Sequence, residues 1–195
     1  MSDARMRFLA VPLPPALHRQ LAPLLGQLAA VDPKVRPARL DGLHLTLRFL
    51  GPVEPAAEPA LRLVAERVAR ETPAFPVEVQ GLGVFTESLR PRIVWAGVGE
   101  GQAELTGLAE TLAVGLSALG WPAERRPFLA HCTLARVSLP FGDHARAALA
   151  ELCQRSQGGP PLVMRAGSLD LLESVKAPGG PNRYPRLARW RFPPR

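Results

Sequence analysis

Lysine is almost missing from this chain. Lys34 and Lys176 stand alone among 195 residues, against 22 arginines. Cysteine is scarce as well: Cys132 and Cys153 supply neither a disulfide framework nor a metal-type spacing, and they suit a reducing compartment. No stretch approaches the ~20 apolar residues that cross a bilayer. The polar start runs straight into a strand-like segment without an apolar signal core. The expectation is therefore a cytoplasmic protein with no membrane association. There is no glycine-rich loop ending in lysine, so nothing here cradles a nucleoside triphosphate. No carboxylate cluster or His-x-x-x-His spacing occurs, which leaves a zinc or two-metal centre without ligands, and no cofactor is expected.

What remains is apolar and basic. Hydrophobic residues make up 47% of the chain, enough for a sizeable core, and the net charge is +7. Guanidinium forks match phosphate geometry and stack on bases, so a nucleic-acid partner is physically reasonable. A chain rich in Ala, Leu, Pro and Arg together also has a purely compositional explanation.

One stretch is written twice. Residues 42–51 read Gly-Leu-His-Leu-Thr-Leu-Arg-Phe-Leu-Gly, and residues 130–137 read Ala-His-Cys-Thr-Leu-Ala-Arg-Val. Both carry His-x-Thr-Leu, with His44 and His131 placed 87 positions apart. Each copy alternates in the period of a half-buried strand, so His44 and Thr46 share one face, as do His131 and Thr133. Of four histidines in the chain, two fall in matched settings. The other two, His18 and His144, read as exposed helix residues.

The surrounding pattern predicts a strand over 5–12 and a helix over 14–30, then a Pro-rich connection to the first motif strand. A helix over 55–70 follows, then strands over 75–82 and 92–98 joined by a long connection. A helix over 102–119 leads to the second motif strand. Asp143 is expected to cap a fourth helix, and two final strands cover 166–175 and 184–192. The order strand-helix-strand-helix-strand thus recurs. It predicts a single α+β domain over 1–195 that is bilobal. Two antiparallel-rich sheets, related by a pseudo-two-fold and backed by helices, would face each other across a central cleft carrying both motifs. The lobe boundary is expected near 83–91, with the C-terminal strands free to cross back.

Two imidazoles facing one another at neutral pH form an acid–base pair. Phosphoryl transfer needs attacking and leaving oxygens in line through phosphorus, and a pseudo-two-fold site supplies that geometry. Thr46 and Thr133 can then donate to the non-bridging oxygens.

The paired motifs resemble those of the 2H phosphoesterase superfamily. With the flanks around 44–51 and 128–137 and the ending at Tyr184, Leu187 and Trp190, the chain resembles the RNA 2′,3′-cyclic phosphodiesterases, also called 2′-5′ RNA ligases. The resemblance implies metal-independent opening of a 2′,3′-cyclic phosphate at an RNA 3′ end, leaving a 2′-phosphate. It makes His44 the proton donor and His131 the proton acceptor. It also implies ATP-independent 2′-5′ joining of RNA, tRNA fragments among them, by a monomer. Ala130 stands where the family pattern has proline. Arg136 matches an arginine of the family motif, although strict alternation from His131 turns it away unless a bulge intervenes. Arg48 lies on the His44 face by alternation and is a candidate contact, as are Arg126 and, less directly, Arg92. Leu47 and Phe49 read as core, and Cys132 as a buried thiol. The alternatives are a different small cyclic phosphate or RNA tail as substrate, and a non-catalytic clamp for RNA.

Overall fold

Strand β1 (Arg5–Pro12) runs through the interior of a sheet, which is why residues 8–11 are all buried although a half-exposed strand would alternate. The computed structural model describes residues 5–88, 90–122, 124, 126–177 and 180–194. Helix α1 (Pro15–Val31) buries Leu17, Leu21, Leu25 and Leu28, one stripe at helical spacing. A three-residue strand β2 (Val35–Pro37) and one 3₁₀ turn occupy the Pro-rich connection, where no strand was expected. Strand β3 (His44–Val53) carries the first motif. Helix α2 (Glu58–Glu71), strands β4 (Phe75–Glu87) and β5 (Arg90–Val98), and helix α3 (Gln102–Ser117) follow. Strand β6 (His131–Val137) carries the second motif. Helix α4 (Asp143–Arg155) and strands β7 (Leu162–Ala166), β8 (Ser168–Glu173) and β9 (Arg186–Arg191) complete the described elements.

The strands join into one curled sheet in the order β7-β4-β5-β6-β3-β1-β8-β9, with β2 added to β6. That order is a palindrome in structural roles. β1 neighbours β3 as β5 neighbours β6, and β8 follows β1 as β4 follows β5. The halves meet through a single recorded pair, Leu45 opposite Cys132. These residues each follow a motif histidine, so the pseudo-two-fold axis passes between the two motifs. Helices α1 and α4 back the half containing β4 to β7, and α2 and α3 back the other.

The 83–91 segment joins the two sequence repeats but does not separate the lobes. Strands β4 and β5 extend into it and pair with each other down to Glu87 opposite Arg90, so most of the expected long connection is strand within one half. Each repeat gives elements to the opposite half: β4 of the first pairs with β5 of the second, while β8 of the second pairs with β1 of the first. Strands β8 and β9 follow β1 in the sheet order. Strand β7 was not expected; Gly167 breaks the 162–173 run into two strands that lie in opposite halves of the sheet order. Asp143 is the first helical residue rather than the cap, and its carboxylate accepts from Arg146.

Candidate active site

Both motif strands have the same burial pattern along seven residues: half-buried, buried, half-buried, buried, buried, exposed, buried. Strict alternation fails in each copy at the same place. In the β1–β3 ladder Leu9 faces Arg48 and Ala10 faces Thr46, which leaves Leu47 without a partner. In the β5–β6 ladder Val94 faces Ala135 and Trp95 faces Thr133, which leaves Leu134 without one. A bulge of one residue reverses the facing of everything beyond it. The fourth residue after each histidine, Arg48 or Ala135, therefore turns into the core. The fifth, Phe49 or Arg136, turns out.

This corrects two expectations. Arg48 does not reach the cleft: only 5% of it is exposed, its guanidinium donates to the Pro122 carbonyl, and it lies 3.6 Å from Glu124. Phe49 is not core, being 61% exposed on the cleft wall. Arg48→Met is expected to lower stability by about 1–3 kcal/mol through the lost hydrogen bond, with turnover per folded molecule retained. Arg136→Met is expected to do the reverse. Thermal melts beside initial rates separate the two, and a large rate loss in Arg48→Met would contradict its placement.

His44, Thr46, His131 and Thr133 all line one cleft of about 520 Å³, together with Phe49 and Arg136. An antiparallel register through Leu45 and Cys132 sets His44 toward Thr133 and Thr46 toward His131. Each imidazole is held the same way: His44 Nδ1 lies 2.7 Å from the Gly42 carbonyl, and His131 Nδ1 lies 2.8 Å from the Leu129 carbonyl. A carbonyl only accepts, so Nδ1 carries the hydrogen, and Nε2 is the nitrogen left to trade a proton. Aromatic rings fix the planes. Phe8 and Tyr184 flank His44 at centroid distances of 4.8 and 5.0 Å, while Phe85 and Trp95 flank His131 at 4.9 and 6.2 Å. Neither threonine hydroxyl has a protein partner among the described residues, so both are available to a ligand.

Burial pushes the His44 imidazolium down to about 4; the Gly42 carbonyl works against this, and the His131 and Arg136 charges add to it. Burial likewise pushes the Cys132 thiol up to about 12, so that thiol is inert, as its place behind the site requires.

Arg36 was missed, for want of strand β2. It pairs in register with Arg136, and both line the cleft. Like charges directly opposite one another repel, and neither has a carboxylate partner among the described residues. The pair is therefore suited to an anion. Arg126 and Arg92 line a groove of about 1330 Å³ instead, which opens from His131, Thr46 and Phe49 and away from His44. Arg92 is paired there with Glu87 at 3.1 Å. The loop between β8 and β9 borders the cleft through Gly180, Pro181 and Asn182. Among the described residues no group of three His, Cys, Asp or Glu is placed to hold a metal ion, and no helix is long and apolar enough to cross a membrane.

The sequence profile of the 2′-5′ RNA ligase superfamily matches residues 13–178. The chain belongs to that superfamily. An RNA 2′,3′-cyclic phosphodiesterase of Aeropyrum pernix is 34% identical over 164 residues, which is 83% of this chain and 89% of the relative. One from Archaeoglobus fulgidus is 30% identical over 175 residues, covering 89% and 93%. The Escherichia coli RNA 2′,3′-cyclic phosphodiesterase is 34% identical over 137 residues, covering 70% and 74%. Among solved structures, a Thermus thermophilus protein superposes with a TM-score of 0.76 at 26% identity, over 96% of this chain and 97% of that one. Escherichia coli LigT complexed with 3′-AMP gives 0.74 at 28% identity, over 97% and 99%.

Proposed function

We propose that this protein hydrolyses the 2′,3′-cyclic phosphate at RNA 3′ ends to a 2′-phosphate, with His44 giving a proton to the leaving oxygen and His131 taking one from water. The observation that carries the reading is the matched pair of imidazoles, each with Nδ1 locked to the carbonyl two residues earlier, in one cleft with two unpartnered threonine hydroxyls. The relatives bear names for this activity.

The phosphate sits between the imidazoles. Thr46 and Thr133 donate to the non-bridging oxygens, where charge gathers as the nucleophile arrives. Arg136 and Arg36 offset the anion from one wall. Phe49 offers its exposed ring to the terminal base, since any base has a π-face to stack. Replacing water by a 5′-hydroxyl turns the same displacement into 2′-5′ joining, and the groove opening from His131 has room for such a strand. The enzyme acts as a cytoplasmic monomer on RNA fragments, those of tRNA included.

The test is an oligoribonucleotide ending in a 2′,3′-cyclic phosphate, incubated with enzyme and excess EDTA. Full turnover and a 2′-phosphate, identified by phosphorus NMR, are expected because the proton traffic runs through His and Thr. Loss of activity that a divalent ion restores would end this reading. A 3′-phosphate product would reverse the assigned orientation of the ribose.

A further inference from the structure

A second cavity, of about 250 Å³, lies on the far side of His44 and shares Gly42, His44 and Tyr184 with the catalytic cleft. Its remaining polar wall comes from His18, Asp41, Asp170, Arg186 and Arg189. The acid–base chemistry uses none of these five.

Their formal charges sum to zero with His18 neutral, and the balance turns positive only when Arg39, the partner of Asp41, is counted. Asp170 on β8 is 1% exposed, and both its oxygens are taken by Arg189, whose Nε and Nη2 each lie at 2.7 Å. Arg186 stands 3.8 Å from the same carboxylate without a hydrogen bond to it, and 51% of its side chain is exposed. One carboxylate thus faces two guanidiniums. Asp41 is spoken for by Arg39, which donates to it from Nε at 3.0 Å and from Nη2 at 2.7 Å. With Arg39 counted, Arg186 is the one guanidinium at the cavity whose hydrogen bonds are not consumed by a carboxylate.

Two further features face the same space. His18, one turn into α1, has its Nε2 sealed from solvent with no hydrogen-bond partner. A buried ring nitrogen with nothing to bond is costly unless a ligand or water meets it. Helix α1 begins at this wall, where Pro15 and His18 both line the cavity, and it has neither a side-chain cap nor an acidic residue in its first turn. Its positive end is therefore not neutralised from within the helix itself. A guanidinium with free donors, the His18 side chain and an open helix start border a volume that fits one phosphate group with its ester oxygens.

We propose that this cavity is a second phosphate subsite, which binds the 5′-phosphate of the same nucleotide whose cyclic phosphate is opened between His44 and His131. The proposal rests on the function given above. If His44 faces the leaving O3′, the ribose lies on the His44 side of the phosphorus, and its 5′ carbon leads past Tyr184 toward Arg186 and His18. Arg186 then donates to the phosphate oxygens, with His18 and the start of α1 walling the opposite side. Binding the ribose at both ends fixes which of O2′ and O3′ lies in line with His44.

The experiment compares adenosine 2′,3′-cyclic phosphate with its 5′-phosphorylated form. The quantity read is the ratio of their kcat/KM values, in which any misfolded fraction cancels. Charge-assisted bonds of this kind lead us to expect a ratio of about 10 or more at low salt, falling as salt rises. In Arg186→Ala and His18→Ala the ratio should collapse toward unity, and Arg186→Lys should keep part of it. A ratio near one in the parent protein, or one untouched by both alanine variants, overturns the subsite. Equilibrium binding of adenosine 2′,5′-bisphosphate against adenosine 2′-phosphate gives the same comparison without turnover. An Arg186-dependent preference there, in a protein that does not open the cyclic phosphate, would uphold the subsite and refute the proposed function. No preference in either assay would remove the subsite alone.

Discussion

Replacing either motif histidine by alanine is expected to slow opening of the cyclic phosphate by ~10²–10⁴, measured as kcat on an oligoribonucleotide carrying that end. The reason lies in how each ring is held. With Nδ1 bonded to a backbone carbonyl and an aromatic on each side, the ring has one orientation, and its Nε2 is the group placed to move a proton. An alanine leaves the Arg36–Arg136 pair and the threonines in place, so the dissociation constant for the RNA should change far less than kcat. The double variant should be little slower than the worse single one, because groups that act in one relay are not additive. Near-normal turnover in either single variant would take that histidine out of the mechanism.

The site was legible in the sequence to the extent that strand alternation is local. His44 with Thr46, and His131 with Thr133, needed only the period of two, and the doubling of the motif pointed to one shared cleft. The same rule failed three residues on. The unpaired Leu47 and Leu134 are bulges set by pairing with β1 and β5, so nothing within the motif announces them. That is why Arg48 and Phe49 were read the wrong way round, while Arg136 needed a bulge to be read at all. Arg36 depended on strand β2, three residues in a Pro-rich connection that pair with β6 and pack under α1. The internal repeat was visible as an order of elements. Its exchange of β4 and β8 between the halves was not, because strand partners are chosen by the whole sheet. His18 looked exposed because helical spacing gives its face but not the neighbour that covers it.

The second large effect concerns which histidine does what. Before substrate arrives His44 is neutral at pH 7, since burial has brought its titration down to about 4. A proton donor must be charged before the reaction, so the bound substrate has to offset the effect of burial. A phosphate anion against the ring favours the imidazolium and raises its pKa. The sign follows directly: the limb of the pH profile that belongs to His44 should lie near pH 4 in kcat/KM, which reports the free enzyme. It should move to higher pH in kcat, which reports the complex. A bell-shaped curve alone does not tell acid from base, because either assignment gives the same product of protonation states. Sulphur at the leaving position does. A 2′,3′-cyclic phosphate with bridging sulphur at the 3′ position expels a thiolate, whose parent thiol ionises near ~8.5, and so has little need of a donated proton. On that substrate the His44→Ala deficit should shrink to about tenfold or less, whereas the His131→Ala deficit should persist at ~10²–10⁴. If the sulphur analogue rescued His131→Ala instead, the two imidazoles would exchange roles. The ribose would then lie on the His131 side, facing the larger groove with Arg92 and Arg126 rather than the cavity with Arg186 and His18.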